Sequence, residues 1–198
     1  MRSDRVKPVH GHAFFTINYS GAFSQILVFD YHDPDRFYYS LLHDDEKYRS
    51  TMEGLLASMN QLLSQEEVRV NGEKVEAEAL TVNLDFRGEA ERPAITFYIE
   101  FDGKLKPGEE NVYECSYEPG TAEYDYEVYW IFPDGSRIIS VKTSTECEIY
   151  GGRFLVMWAR RGDRYDGYEK IVFTLPPLSS RDKAPSPSRG SSRSLWSS

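Results

Sequence analysis

Ile95-Thr96-Phe97-Tyr98-Ile99-Glu100-Phe101 alternates apolar and polar residues without a break, and this stretch decides the fold class. Successive side chains of an extended chain point to opposite faces, so the four apolar residues share one face and the intervening ones the other. Leu80, Val82, Leu84 and Phe86 repeat the pattern upstream. Tyr124, Tyr126, Val128, Trp130 and Phe132 repeat it downstream. Asp134-Gly135 and Gly151-Gly152 then punctuate three further runs, at residues 137–143, 154–159 and 169–175. A half-buried sheet produces this alternation, and about seven to eight short strands separated by turns predict an antiparallel sandwich or barrel.

Upstream of Gln65 the pattern differs. Residues 13–19 and 24–30 read as a hairpin joined by Ser20-Gly21-Ala22-Phe23. Asp33-Pro34-Asp35 reads as a helix start running toward His43, with Asp33 as cap and proline at the first helical position. From Asp44 to Gln65, Tyr48, Met52, Leu55, Leu56, Met59, Leu62 and Leu63 form the stripe of an amphipathic helix. The expected class is therefore α+β, predominantly antiparallel β. Residues 1–66 form a hairpin and helical segment packed on the same core, 67–178 the sandwich, and 179–198 a disordered Pro/Ser/Arg tail.

The 198 residues carry a net charge of −9, but the two ends of the chain differ. Residues 181–198 hold four of the 23 basic groups and one of the 32 acidic groups, which leaves the body at 19 against 31, a net of −12. Such a field repels phosphate backbones and anionic lipid, so only the tail is expected to touch nucleic acid, and weakly. No stretch nears the roughly 20 apolar residues of a membrane span, and Met1-Arg2-Ser3-Asp4-Arg5 lacks the apolar run of a secretory signal. A cytoplasmic protein is expected, with Cys115 and Cys147 as unlinked buried thiols.

Four constellations carry candidate chemistry. With Tyr19 opposite Ser24, the hairpin register sets His12 against Tyr31 and His10 against Asp33, so His10, His12 and Asp33 could hold Zn²⁺ with a position left open. The acidic set Glu78, Asp85, Glu100, Glu114, Glu123, Asp125 and Glu127 reads as a solvated sheet face rather than a pair of catalytic carboxylates. Tyr98, Tyr129, Tyr113 and Tyr117 are candidates for an aromatic binding surface. Arg160, Arg161 and Arg164 make the one basic cluster of the body and could hold an anion. Nucleotide-binding glycine motifs, C-x-x-C, H-E-x-x-H and G-x-S-x-G are all absent from the sequence.

Residues 91–99, 122–130 and 167–173 share the wording of, and so resemble, an uncharacterised small-protein family of hyperthermophilic archaea; the scarcity of asparagine and glutamine fits a thermophile-like balance. That resemblance implies no activity and carries over no site residues. The expected function is a noncatalytic binding or protein-interaction module without a cofactor. It would use an aromatic, acidic sheet face toward a protein partner or a second copy. The rival is a zinc-dependent hydrolase centred on His10, His12 and Asp33.

Overall fold

The computed structural model describes residues 5–177, so the expected disorder and nucleic-acid contacts of the tail concern residues outside that range. In chain order a hairpin of β1 (Lys7–Ile17) and β2 (Ala22–His32) leads to α1 (Phe37–Leu41) and α2 (Asp45–Leu63). There follow β3 (Glu67–Val70), β4 (Glu73–Val75), β5 (Glu78–Phe86), β6 (Pro93–Asp102), β7 (Glu110–Ser116), β8 (Gly120–Thr121) and β9 (Asp125–Ile131). The chain continues through β10 (Arg137–Lys142), β11 (Glu146–Tyr150), β12 (Phe154–Ala159), β13 (Arg164–Tyr165) and β14 (Tyr168–Thr174).

The class is α+β, as the alternation predicts, and the sandwich is open rather than closed into a barrel. A seven-stranded sheet runs β11-β12-β9-β1-β2-β6-β5, a five-stranded sheet runs β10-β14-β7-β3-β4, and β13 pairs with β8. The fourteen strands exceed the expected number because β4, β8, β11 and β13 span only two to five residues each, too few to show a period. The β1–β9 pairing is parallel, against the antiparallel expectation for the sheet as a whole. It brings the first strand of the chain to the centre of the larger sheet, so residues before and after Gln65 share one sheet.

Hairpin geometry departs from the expected register. Asn18 Oδ1 accepts the backbone N–H groups of Ser20 and Ala22, both at 3.0 Å, and so closes the turn early. Gly21, at φ 95°, is the one residue type that fits there, because a Cβ would lie 2.1 Å from the Gly103 carbonyl oxygen. Thr16, not Tyr19, therefore faces Ser24, which places His12 opposite Val28 and His10 opposite Asp30. A slip by an odd number of residues exchanges the two faces of a strand. Asp33 is consequently not with the histidines. It is fully buried and its Oδ2 accepts the Tyr38 N–H at 2.8 Å, tethering α1, which begins at Phe37 rather than at Pro34.

Two layers cover one face of the seven-stranded sheet. The smaller sheet packs over Ala13, Phe15, Phe23, Phe101, Trp130 and Leu155, with Ile171 and Phe173 facing them from β14. The helices pack over Ile95, Phe97 and Ile99 through Tyr38, Leu41, Met52 and Met59. Ile95, Phe97, Ile99 and Phe101 belong to one face of β6, so both layers lie on the same side of the sheet. A fully buried side chain of this kind contributes about 1.5–3 kcal/mol. Asn60 joins the helical layer to the sheet: it accepts the Ala79 N–H at 2.8 Å and donates to the Ala79 carbonyl at 3.1 Å. Both cysteines are free; Cys115 is buried as expected, but Cys147 is exposed on the edge strand β11.

Candidate functional site

Where the helical layer and the small sheet fail to meet, the larger sheet is left bare at the floor of a cavity of about 640 Å³. Phe15, Leu27, Phe29 and Val128 form the floor, with Gln25 among them. Met59, Leu62, Leu63 and Glu66 come from the end of α2 and the residues after it, and Val68, Tyr113, Cys115 and Glu169 from the small sheet. Tyr117, Tyr126 and Tyr165 line it as well. Leu62, 56% exposed, marks the rim.

Period-two geometry places the polar groups here. Glu169 lies in phase with Ile171 and Phe173, both fully buried, so its side chain points to the core side of β14. Gln25 is likewise in phase with Phe23 and Leu27 on β2. Tyr117 donates its hydroxyl to Glu169 Oε1 at 3.0 Å, and its ring lies 5.8 Å from that of Tyr165. Tyr165 can approach because Gly120 faces it: a Cβ at Gly120 would sit 2.6 Å from the Tyr165 hydroxyl.

The electrostatics of this cavity are one-sided. Burial, reinforced by the nearby Glu169 carboxylate, pushes the Glu66 carboxyl from 4.5 up to about 7. Burial also raises Glu169, the Tyr117 hydrogen bond partly opposes this, and Asp166 adds to it. The Cys115 thiol and the Tyr126 phenol are both pushed to about 12, chiefly by burial, and Tyr113 and Tyr117 rise as well. No basic side chain among the described residues offsets either carboxyl. An uncompensated pair of carboxyls in an apolar cavity favours a cation there.

Tyr113 and Tyr117 thus lie on the cavity wall, while Tyr98 and Tyr129 occupy the uncovered face of the larger sheet. Tyr98 donates to Glu100 Oε1 at 2.5 Å, and Tyr129 stacks on Phe14 with ring centres 4.9 Å apart. The four tyrosines do not make one surface. His10 and His12 share that uncovered face with Asp30, Glu127 and Asp125, which flank them on β2 and β9. The basic turn is occupied by its own acids. Asp163 Oδ2 accepts the Arg160 N–H at 2.7 Å, Asp125 Oδ1 accepts the Arg161 N–H at 2.8 Å, and the Arg160 guanidinium lies 3.4 Å from Asp125; Arg164 is exposed on β13. Of the acidic set, Glu114 is held low by the Tyr168 hydroxyl and Lys170, on the outer side of the small sheet. Glu66 and Glu169 were missed in the sequence. Glu169 left a signal, a carboxylate in phase with core residues; Glu66, beyond the helix end, left none.

Among the described residues no helix is long and apolar enough to cross a membrane. No protein-family model matches the chain, and no curated protein matches it. Among solved structures, native leukotriene A4 hydrolase from Saccharomyces cerevisiae aligns over 85% of this chain and 29% of its own length at 9% identity. The TM-score is 0.32, too low for that likeness to carry an argument.

Proposed function

We propose that the protein is a noncatalytic binding module whose interlayer cavity takes an organic cation with an apolar body. The ammonium group would sit beside Glu66 and Glu169, and the hydrocarbon among Phe15, Leu27, Phe29 and Leu63. What carries this reading is the pair of inward-facing carboxyls on the wall of an apolar cavity with no basic side chain to offset them. Tyrosine faces add to it, since aromatic rings attract organic cations by about 0.5–2 kcal/mol each. The cavity volume falls within the range of small-molecule sites, roughly 300–1,000 Å³. This keeps the expected binding module with its aromatic and acidic character, and moves it from the sheet's outer face to its inner one.

A charge series tests the proposal. Decylamine, decanol and decanoate share a hydrocarbon chain and differ in charge. Binding is read from tryptophan fluorescence at pH 8, because Trp130 stacks on the cavity-lining Phe15 at 4.0 Å. The amine should bind at least about tenfold more tightly than the alcohol, the equivalent of about 1.4 kcal/mol, and the acid most weakly. Glu169→Gln and Glu66→Gln should each reduce that preference. Equal binding of all three, or decanoate binding tightest, would overturn the proposal.

A further inference from the structure

On the other face of the larger sheet, away from the cavity, the histidines form a second site. His10 and His12 are alternate residues of β1, so both project to the uncovered side, and their rings lie 4.2 Å apart. The two flanking strands each bring a carboxylate: Asp30 faces His10 from β2, and Glu127 faces His12 from β9. Glu127 Oε2 lies 3.2 Å from His10 Nε2 and 3.3 Å from His12 Nδ1. One ligand atom each from His10, His12 and Asp30 lies within 4.8 Å of the others.

These spacings are those of imidazole–carboxylate ion pairs, and they also fit a shared metal ion. Ligand atoms about 2.0–2.1 Å from a tetrahedral ion stand about 3.3 Å from one another. Glu127 Oε2 is at that separation from both imidazoles, yet it is buried and makes no hydrogen bond. A buried polar atom lacking a partner costs about 1–3 kcal/mol, so this arrangement is unfavourable unless something is shared among these groups. Arg87 anchors Asp30 through Oδ1 at 3.0 Å, which leaves its second oxygen for coordination.

We infer that His10, His12, Glu127 and Asp30 form a binding site for a borderline divalent cation of the zinc class, above β1 on the uncovered sheet face. Two imidazoles with carboxylates suit zinc, cobalt or nickel, and disfavour magnesium and calcium, which take oxygen ligands throughout. The site is independent of the cavity, whose lining residues lie on the opposite face of the same strands.

Cobalt titration of the chelator-treated full-length chain tests the inference, because tetrahedral Co²⁺ with nitrogen ligands absorbs visible light where the protein does not. One equivalent should produce this band, and zinc should displace it. His12→Gln and Glu127→Gln should weaken zinc binding by more than the roughly 10–100-fold that loss of an outer hydrogen-bond partner costs. His43→Gln and Cys147→Ser should leave it unchanged. Thermal melts of the metal-free variants show whether each still folds, and zinc should raise the melting temperature of the wild type but not of His12→Gln. The inference is overturned by the absence of a saturable cobalt band. It is also overturned if binding survives in folded His12→Gln and Glu127→Gln, or is lost instead in Cys147→Ser.

Discussion

Replacing Glu66 by glutamine removes a charge from the cavity while keeping the side chain's size, and the consequence for stability can be worked out. The folded carboxyl titrates at about 7 and its ordinary value is 4.5. Between those values the folded chain holds a proton that the unfolded chain has released, so wild-type stability falls as pH rises through the window and is flat above it. At about 1.4 kcal/mol per pH unit the full difference comes to about 3 kcal/mol. Solvent at the rim of the cavity screens part of this, leaving about 2 kcal/mol. Glu66→Gln lacks the titration, so at pH 8 it should be more stable than wild type by about 2 kcal/mol, or roughly 4–8 °C in melting temperature for a chain of this size. At pH 4.5 the two should be alike. Urea unfolding at both pH values, with the m-value as a check that the unfolded states match, measures the difference. A variant no more stable than wild type at pH 8, with a parallel pH profile, would refute a buried, uncompensated Glu66.

Two further substitutions test side-chain amides that hold the fold together. Asn111 is fully buried, accepts the Lys106 N–H at 2.7 Å and donates to the Lys106 and Glu109 carbonyls, so Asn111→Ala should cost about 2–4 kcal/mol in urea unfolding. Asn60→Ala removes both hydrogen bonds to Ala79 and should cost about 1–3 kcal/mol, with amide exchange accelerated at Ala79 before the rest of the sheet opens.

The fold class and the longer elements were legible in the sequence because periodicity reports burial directly. The Met52–Met59 stripe marked α2, and the alternation at Ile95–Phe101 marked β6. Pairing was less legible. The parallel partnership of β1 with β9 joins residues more than a hundred positions apart, and no local signal encodes it. The hairpin register turned on the Asn18 side chain, whose hydrogen bonds to the Ser20 and Ala22 N–H groups place the turn ahead of Ala22-Phe23, which begin β2 instead. That slip carried Asp33 out of the histidine cluster and Asp30 into it. For the candidate sites, His10 and His12 were visible as a pair spaced by two. The cavity was not, because a space between layers depends on how far α2 reaches across the sheet. Its one legible trace was Glu169 among residues that alternate toward the core.

Calorimetry of decylamine binding at pH 7, in two buffers of different ionisation enthalpy, tests the cationic cavity most directly. The ligand's amine stays protonated throughout, so any proton exchanged comes from the protein. With Glu66 titrating at about 7, pairing with the ammonium should draw up to about half a proton per ligand bound from Glu66, and Glu66→Gln should release less. Binding with no proton release, or with proton uptake, would contradict an ammonium seated beside Glu66 and Glu169.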